Sequence, residues 1–327
     1  MLSIFNSENA KRVAIIRSEK NSFLNNTVVY TLQKMKSLKE EELKNIYATS
    51  YILRAENITE ELARKVKNNI QMIDITFQDV LDLEQNYELP IDCSIHLLPY
   101  DPKKEDRTTI SILGSAGCGK TYWINEYMKM YIKLNKEKPV YYLSIHEPAN
   151  DPSIDKQVAE KIQFVDAKNI STTISKEEVA NSLLVCDDVD SEICIQVDEE
   201  YESLTDKEKL ALMKQQANLA KTISKTIYTS AKNIIHNYRK YKSSLLFIAH
   251  HLKDRTNHEI TNHCDVLIMF PYANYSQIIP FLESRTSLTK KDVEDLLPKK
   301  NRVFAYTPFI YHKRHQIAIY DNRIRIL

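Results

Sequence analysis

The sequence Gly114-Ser115-Ala116-Gly117-Cys118-Gly119-Lys120-Thr121 holds all three glycines of this 327-residue chain. Ordinary glycine usage is about 7%, so glycine has been avoided almost everywhere else. The eight residues fit G-x-x-x-x-G-K-[ST], a loop whose backbone amides cradle phosphate groups and whose lysine reaches the terminal ones. A Cβ at Gly117 or Gly119 would oppose a positive φ angle or the close approach of a phosphate oxygen. We call these eight residues the phosphate loop.

The residues on both sides of the phosphate loop predict a strand and a helix. Residues 108–113 are β-branched or apolar, and residues 122–128 begin a helical pattern. A strand, a glycine loop and a helix form the context in which N–H groups at a helix N-terminus bind a triphosphate. We therefore predict that ATP binds to the phosphate loop.

Composition excludes several broad classes of protein. The net charge is +1, from 45 basic and 44 acidic residues, so any contact with nucleic acid has to come from a local patch. The five cysteines form no C-x-x-C pair, which is typical of reduced intracellular thiols. No signal peptide and no apolar run long enough to span a membrane is predicted.

The pattern along the chain predicts an α/β fold with three regions. Residues 1–90 are expected to be a mostly helical accessory region, with helical propensity at 39–44 and 59–66. Residues 91–275 alternate short apolar runs with helices, which predicts a mostly parallel sheet flanked by helices. A strand at residues 93–98 is expected to lead into this core. Residues 276–327 are a basic and aromatic extension with a β-like end. The strands of the core after the phosphate loop are predicted at 139–145, 162–165, 182–188, 244–249 and 264–270.

A second strand ends in two acids, Asp187 and Asp188. A carboxylate at the carboxyl edge of a parallel sheet can hold Mg²⁺ beside a bound triphosphate. We assign Asp187 and the Thr121 hydroxyl to the metal ion, and Asp188 to polarising the attacking water. Such an acid pair can also cap the following turn, and it is the upstream phosphate loop that favours catalysis.

The order of the strands separates two classes of nucleotide-binding protein. Between Lys120 and Asp187 the sequence predicts two further strands. Kinases and GTPases usually place the metal-binding strand next to the phosphate-loop strand, whereas motor ATPases insert a strand between them and carry a second acid. The pair Asp187-Asp188 therefore favours hydrolysis over phosphoryl transfer to a small acceptor.

A third apolar strand, at residues 244–249, is followed by His250 and His251. A polar residue here can sense the γ-phosphate or the attacking water, and we select His250, with His251 as the alternative register. An exposed histidine pair at a strand end is the plain alternative. The transition state also requires a cation. Of the nearby arginines we select Arg239, and any of them could act on a neighbouring subunit; the others are Arg255 and Arg285.

With these residues in place, residues 92–275 resemble the poxvirus-type genome-packaging ATPases of the FtsK–HerA superfamily. The resemblance depends on the phosphate loop, on the strand ending Asp187-Asp188, and on residues 234–271. In the last stretch Arg239 follows Tyr238 where the family tends to have glycine, and an apolar strand closes on Phe270-Pro271. The resemblance implies a RecA/FtsK-like core and a ring of identical subunits that drives double-stranded DNA into capsids, with capsid or portal-like vertex proteins as partners. It also implies a location in the host cytoplasm or viral factory, or association with the virion.

Two basic segments could contact the DNA backbone without reading bases. Residues 220–243 carry six basic residues and no acid, and residues 298–327 carry seven basic residues against Asp321 alone. The second segment also contains aromatic residues. An ordinary solvated helix face and a half-buried β tail are the alternatives.

Three other functions compete with a packaging motor. A viral DNA helicase would share the same chemistry. A nucleoside or nucleotide kinase would need an arginine-rich lid, which the sequence does not show. A nucleotide-regulated switch would bind ATP and scarcely hydrolyse it. Clustered acids of a nuclease do not follow the core, so no DNA cutting is expected.

Overall fold

The structure is a computed structural model whose described residues form two compact units. The first unit comprises Met1–Pro102 with Leu288–Leu327, and the second comprises Lys103–Ser287. The described residues are 2–3, 10–18, 28–32, 88–90, 95–99, 107–169, 173–187, 204–250, 255–270, 275–285, 288–296, 308–313, 317–320 and 323–326.

The second unit contains a sheet of parallel strands. Its strands are β6 (Thr109–Leu113), β7 (Val140–Ser144), β8 (Gln163–Asp166), β9 (Leu183–Cys186), β10 (Ser244–Ala249) and β11 (Val266–Met269). Their order across the sheet is β11-β6-β10-β9-β7-β8, and each neighbouring pair is parallel. These strands confirm the predicted phosphate-loop strand and the five predicted core strands, as well as the α/β fold class.

The helices of the second unit connect these strands. They are α1 (Lys120–Leu134), α2 (Lys156–Ala159), α3 (Asp206–Tyr241), α4 (Arg255–His263) and α5 (Tyr275–Arg285). α1 begins directly after the phosphate loop and buries Trp123, Tyr127 and Tyr131, which lie on one face at a spacing of four residues. α3 begins with a capping box, in which the Thr205 hydroxyl accepts from the Glu208 N–H, and it packs against β10 and α4.

The core of the second unit is centred on the middle strands. All residues of β6, β9 and β10 are buried, which is expected for parallel strands that are covered on both faces. Among the described residues, no helix is both long and apolar enough to cross a membrane.

The described parts of the first unit are strands and one short helix. β2 pairs antiparallel with β3 and with β5, and β12, β13, β14 and β4 form a second antiparallel series. The elements are β1 (Leu2–Ser3), β2 (Ala10–Ser18), β3 (Val28–Leu32), β4 (Glu88–Pro90), β5 (Ile95–Pro99), α6 (Lys290–Leu296), β12 (Phe309–His312), β13 (Ile317–Tyr320) and β14 (Arg323–Ile326).

One expectation for the N-terminal region differs from this arrangement, and another falls outside the described residues. The strand predicted at 93–98 forms as β5, but it pairs with β2 and belongs to the first unit, so its expected place leading into the core was wrong. Its antiparallel partner is far away in sequence, and local pattern cannot identify such a partner. The helices expected at 39–44 and 59–66 lie outside the described residues, and the described residues among 1–90 are strands.

Candidate nucleotide-binding site

Each of the three glycines is required by the backbone or by packing. Gly117 and Gly119 have φ angles of 72° and 96°, in the left-handed region that side chains disfavour. A Cβ on Gly114 would lie 2.6 Å from Cys118 Sγ and 2.8 Å from Phe270 Cβ. Glycine is therefore retained at all three positions for physical reasons that the sequence indicated only in part.

The Lys120 ammonium is buried within the phosphate loop, with 6% of the residue exposed. Its Nζ donates to the carbonyl oxygens of Gly114, at 2.7 Å, and Ser115, at 2.8 Å. It also lies 3.2 Å from Nδ1 of His250. An ammonium group has only donors, so Nδ1 is the acceptor when His250 contacts the Lys120 ammonium.

His250 reaches the site because of the strand order. β10 lies between β6 and β9, so it is the inserted strand that was predicted for a motor ATPase. Ala249 pairs with Leu113, and the Gly114 N–H donates to the Ala249 carbonyl at 3.3 Å. The residue after β10 therefore lies beside the phosphate loop. His251, the alternative sensor, lies outside the described residues.

Asp187 lies at the carboxyl edge of the same sheet and is 8% exposed. Its N–H donates to the Leu143 carbonyl at 3.0 Å, which continues the pairing of β7 with β9. The Tyr142 hydroxyl donates to Asp187 Oδ2. Sequence analysis missed Tyr142, although a tyrosine in an apolar strand indicates a buried phenol that needs a hydrogen-bond partner.

The oxygen donors at this edge fit a magnesium ion. Mg²⁺ prefers carboxylate and hydroxyl oxygens together with phosphate oxygens and water. Asp187 provides a carboxylate directly after β9, and Thr121 provides a hydroxyl in the first turn of α1. These two residues would hold the ion beside the phosphate loop. Asp188, assigned to the attacking water, lies outside the described residues.

Cys118 in the phosphate loop is a buried, protonated thiol. Burial raises the pKa of Cys118 above its ordinary value, although the nearby Lys120 ammonium acts in the opposite direction. Thiolates are the nucleophilic form of cysteine. The loop therefore presents no thiol nucleophile near neutral pH, and its chemistry comes from amide and ammonium donors.

Arg239 lies at the opposite edge of the sheet from the phosphate loop. Its Nε donates to the Tyr238 hydroxyl at 3.2 Å, and this hydroxyl donates to Asp265 Oδ1 at 2.9 Å. The other oxygen of Asp265 accepts from the N–H of Thr109, the first residue of β6, at 3.1 Å. The phosphate loop follows the last residue of β6, about 16 Å further along the strand. The structure therefore does not bring Arg239 and Lys120 of one chain together.

The side chains of Arg255 and Arg285 are not among those described, so these two arginine candidates cannot be placed. Arg255 begins α4 and Arg285 ends α5.

Most of the predicted basic face on α3 is solvent-exposed. The exception is Lys232, whose ammonium lies 2.7 Å from Glu259 of α4, so its charge is already paired. His236 contacts the same carboxylate at 2.8 Å. The exposed cations of this segment are Lys221, Lys225, Arg239, Lys240 and Lys242.

The aromatic residues of the second basic segment are not all on the surface. Phe309 and Tyr311 of β12 are 4% and 1% exposed. These two rings are buried and are not available for stacking on nucleic acid. This agrees with the alternative of a half-buried β tail for β12.

The second unit has the fold of the P-loop nucleoside triphosphatases, in the form with a strand inserted between the phosphate-loop strand and the acidic strand. The phosphate loop joins β6 to α1, and the polar residues that follow β9 and β10 lie at the same edge. Ligands of open α/β sheets bind at this carboxyl edge.

No protein-family model and no curated protein sequence matches the chain. Among solved structures, it is similar to the genome packaging NTPase B204 from Sulfolobus turreted icosahedral virus 2 in complex with ATP-gammaS. That match has 12% identity over 68% of this chain and 98% of the other, with a TM-score of 0.37. The DNA-packaging ATPase B204 from Sulfolobus turreted icosahedral virus has 16% identity, coverage of 67% and 96%, and a TM-score of 0.35. The pCW3 conjugation coupling protein TcpA has 12% identity, coverage of 70% and 64%, and a TM-score of 0.39.

Proposed function

We propose that this chain is an ATP-driven double-stranded DNA translocase of the FtsK–HerA superfamily that packages a viral genome into capsids. The observation that carries the proposal is the inserted strand β10, which is followed by His250, whose Nδ1 lies 3.2 Å from the Lys120 ammonium. A polar residue between the phosphate loop and the acidic strand can respond to the γ-phosphate. This arrangement favours hydrolysis coupled to movement over transfer to a small acceptor.

The proposed hydrolysis uses groups whose positions the strand ends determine. The amides of the phosphate loop and the Lys120 ammonium stabilise the charge that develops on the β- and γ-phosphates. A bound Mg²⁺ would neutralise phosphate charge at Thr121 and Asp187. Asp188 would orient the attacking water, and His250 would hydrogen-bond either that water or the γ-phosphate.

To act on ATP, Lys120 has to exchange its present partners for phosphate oxygens. Its Nζ donates to two loop carbonyls and contacts His250 in the conformation described here. Nucleotide binding is therefore expected to change the environment of His250 directly. This supports a role for His250 in reporting nucleotide occupancy to β10.

The proposed DNA contact is the exposed basic face of α3. Lys221 and Lys225 lie one turn apart with no acidic residue in the segment. Cations without base-reading partners bind the phosphate backbone, and each contact contributes about 0.9 to the slope of log K against log salt for duplex DNA. Non-specific binding is what a packaging motor requires.

Assembly and location belong to the same proposal. A homo-oligomeric ring would surround the DNA and dock on a capsid or portal-like vertex, in the host cytoplasm or viral factory or in association with the virion. A catalytic role for Arg239 is proposed only towards a neighbouring subunit, because its own hydrogen-bond partners lie at the other edge of the sheet.

The test is ATP turnover with and without long double-stranded DNA. We expect stimulation by DNA that weakens as salt rises, and loss of turnover in Lys120→Ala and Asp188→Asn. Absence of stimulation at every salt concentration would refute a translocase. Nucleotide binding without turnover would favour the switch, and strand separation of a forked duplex would favour the helicase.

A matched pair of variants on α3 tests the DNA-binding face. Lys225→Ala is expected to raise the DNA concentration needed for half-maximal stimulation and to reduce the salt slope by about 1. Lys232→Ala is the control, because that lysine is already paired with Glu259, and it is expected to have the smaller effect. Equal effects would exclude this face as the DNA contact.

A further inference from the structure

Tyr142 and Asp187 form a buried hydrogen bond at the carboxyl edge of the parallel sheet. The two residues are 2% and 8% exposed, and the phenol hydroxyl donates to Asp187 Oδ2. A phenol and a carboxylate that are both removed from water each need a hydrogen-bond partner. Each provides one for the other.

The sheet itself determines this contact. β7 and β9 are parallel neighbours in which Tyr142 pairs with Val185 and Leu143 pairs with Cys186. The Asp187 N–H then donates to the Leu143 carbonyl. Tyr142 therefore lies two positions before the level of Asp187, and its long side chain spans that distance along the sheet. Tyr142 is the middle residue of β7 and Asp187 directly follows β9, so the sheet holds both partners.

A hydrogen bond to one carboxylate oxygen restricts rotation of the whole carboxylate group. Side chains that orient a metal ligand in this way commonly change metal affinity by about 10–100-fold when they are removed. The carboxylate of Asp187 is the group that the site offers to Mg²⁺. Its orientation is therefore linked to a hydroxyl on the neighbouring strand.

We propose that Tyr142 is a positioning residue for the magnesium-binding carboxylate, and that its hydroxyl sets how strongly the Mg²⁺–nucleotide complex binds. The inference deepens the proposed function, because it depends on a nucleotide site at the phosphate loop. Tyr142 acts through Asp187 and does not itself touch nucleotide.

The experiment measures binding of a fluorescent ATP analogue to the full chain as free Mg²⁺ is varied, with EDTA as the metal-free condition. Tyr142→Phe removes only the hydroxyl. We expect the Mg²⁺ concentration that gives half of the Mg²⁺-dependent increase in nucleotide binding to rise about 10–100-fold. Binding in EDTA is expected to be unchanged, because the phosphate loop is intact. A residue important only for folding would weaken both conditions.

Tyr141→Phe is the matched control. Tyr141 is the preceding residue on β7, is half-buried, and its side chain points to the opposite face of the sheet. The same chemical change there should leave the Mg²⁺ dependence as in the wild type. The intrinsic fluorescence of Trp123, the chain's one tryptophan, checks that each variant is folded.

Two outcomes would overturn the proposal. One is a Tyr142→Phe variant with wild-type Mg²⁺ dependence. The other is a further loss when Tyr142→Phe is added to Asp187→Asn, because a residue that acts through Asp187 should have no effect once that carboxylate is gone. A wild-type chain that fails to bind nucleotide would instead contradict the proposed function, so the two failures are distinguishable.

Discussion

Among the described residues, two that are not glycine have left-handed backbones, and we predict that replacing them with glycine has opposite effects on stability. Asn181 has φ 57° and Lys242 has φ 54°. They are adjacent in space, since the Asn181 N–H donates to the Tyr241 carbonyl at 2.8 Å. Arg107 binds both: its Nε donates to the Lys242 carbonyl and its Nη2 to Asn181 Oδ1 at 3.2 Å.

Lys242→Gly is expected to stabilise the second unit by about 0.5–1 kcal/mol. Lys242 terminates α3 in the conformation that glycine usually adopts there. A left-handed residue with a Cβ costs about 1–2 kcal/mol, and the greater freedom of glycine in the unfolded chain offsets about 0.5–1 of this. The contact with Arg107 uses the backbone carbonyl, so the substitution retains it.

Asn181→Gly is expected to destabilise the same unit by about 1–2 kcal/mol. Asparagine tolerates the left-handed region, so little strain is relieved. The substitution removes an acceptor from Arg107, which is 3% exposed. Hydrogen bonds to charged groups contribute about 1.5–3 kcal/mol, and this loss exceeds the gain.

Urea unfolding followed by Trp123 fluorescence measures both effects, because that residue lies in α1 and reports on the second unit. A change of about 1 kcal/mol corresponds to about 2–4 °C in melting temperature for a unit of this size. Lys242→Ala keeps the Cβ and serves as the control. The reasoning is wrong if Lys242→Gly is no more stable than Lys242→Ala, or if Asn181→Gly is more stable than the wild type.

Two further substitutions test the site and the α3–α4 contact. Gly114→Ala should abolish nucleotide binding and destabilise the unit by about 1–3 kcal/mol, because its Cβ would lie 2.8 Å from Phe270 Cβ; wild-type affinity in an equilibrium binding assay would contradict this. Hydrogen bonds from Lys232 and then His236 lower the pKa of Glu259 to about 2. The stability from that carboxylate is present above its unfolded pKa of about 4.3 and is lost as pH falls towards 2, so the melting temperatures of wild type and Glu259→Gln should converge as pH falls from about 5 towards 2. A constant difference would refute this.

The elements that sequence analysis predicted are those whose signals are local. Buried parallel strands appear as continuous apolar runs, so β6, β9 and β10 were recognisable without knowledge of their neighbours. The phosphate loop is also local, because its backbone conformation requires glycine at fixed positions.

The contacts that sequence analysis did not predict depend on which strands are neighbours. Tyr142 meets Asp187 only because β7 lies beside β9, and the intervening sequence contains another strand. Arg239 precedes the sensor strand closely in sequence, yet the end of α3 lies where β10 begins, at the edge away from the phosphate loop. Proximity in sequence to a catalytic strand therefore did not indicate proximity to its catalytic end.

α3 has a mechanical consequence that follows from its length and attachment. It contains 36 residues, which corresponds to about 54 Å, and only two residues separate it from β10, the strand that His250 follows. Its buried residues begin at Ile223, so the preceding half projects from the packed part of the unit. A tilt of about 4° at the attached end moves the far end of a ~54 Å rod by about 4 Å, close to the ~3.4 Å rise of one base pair. A small tilt at the attached end would thus be amplified along α3 to several ångströms at its far end, and to about half of that at Lys221 and Lys225.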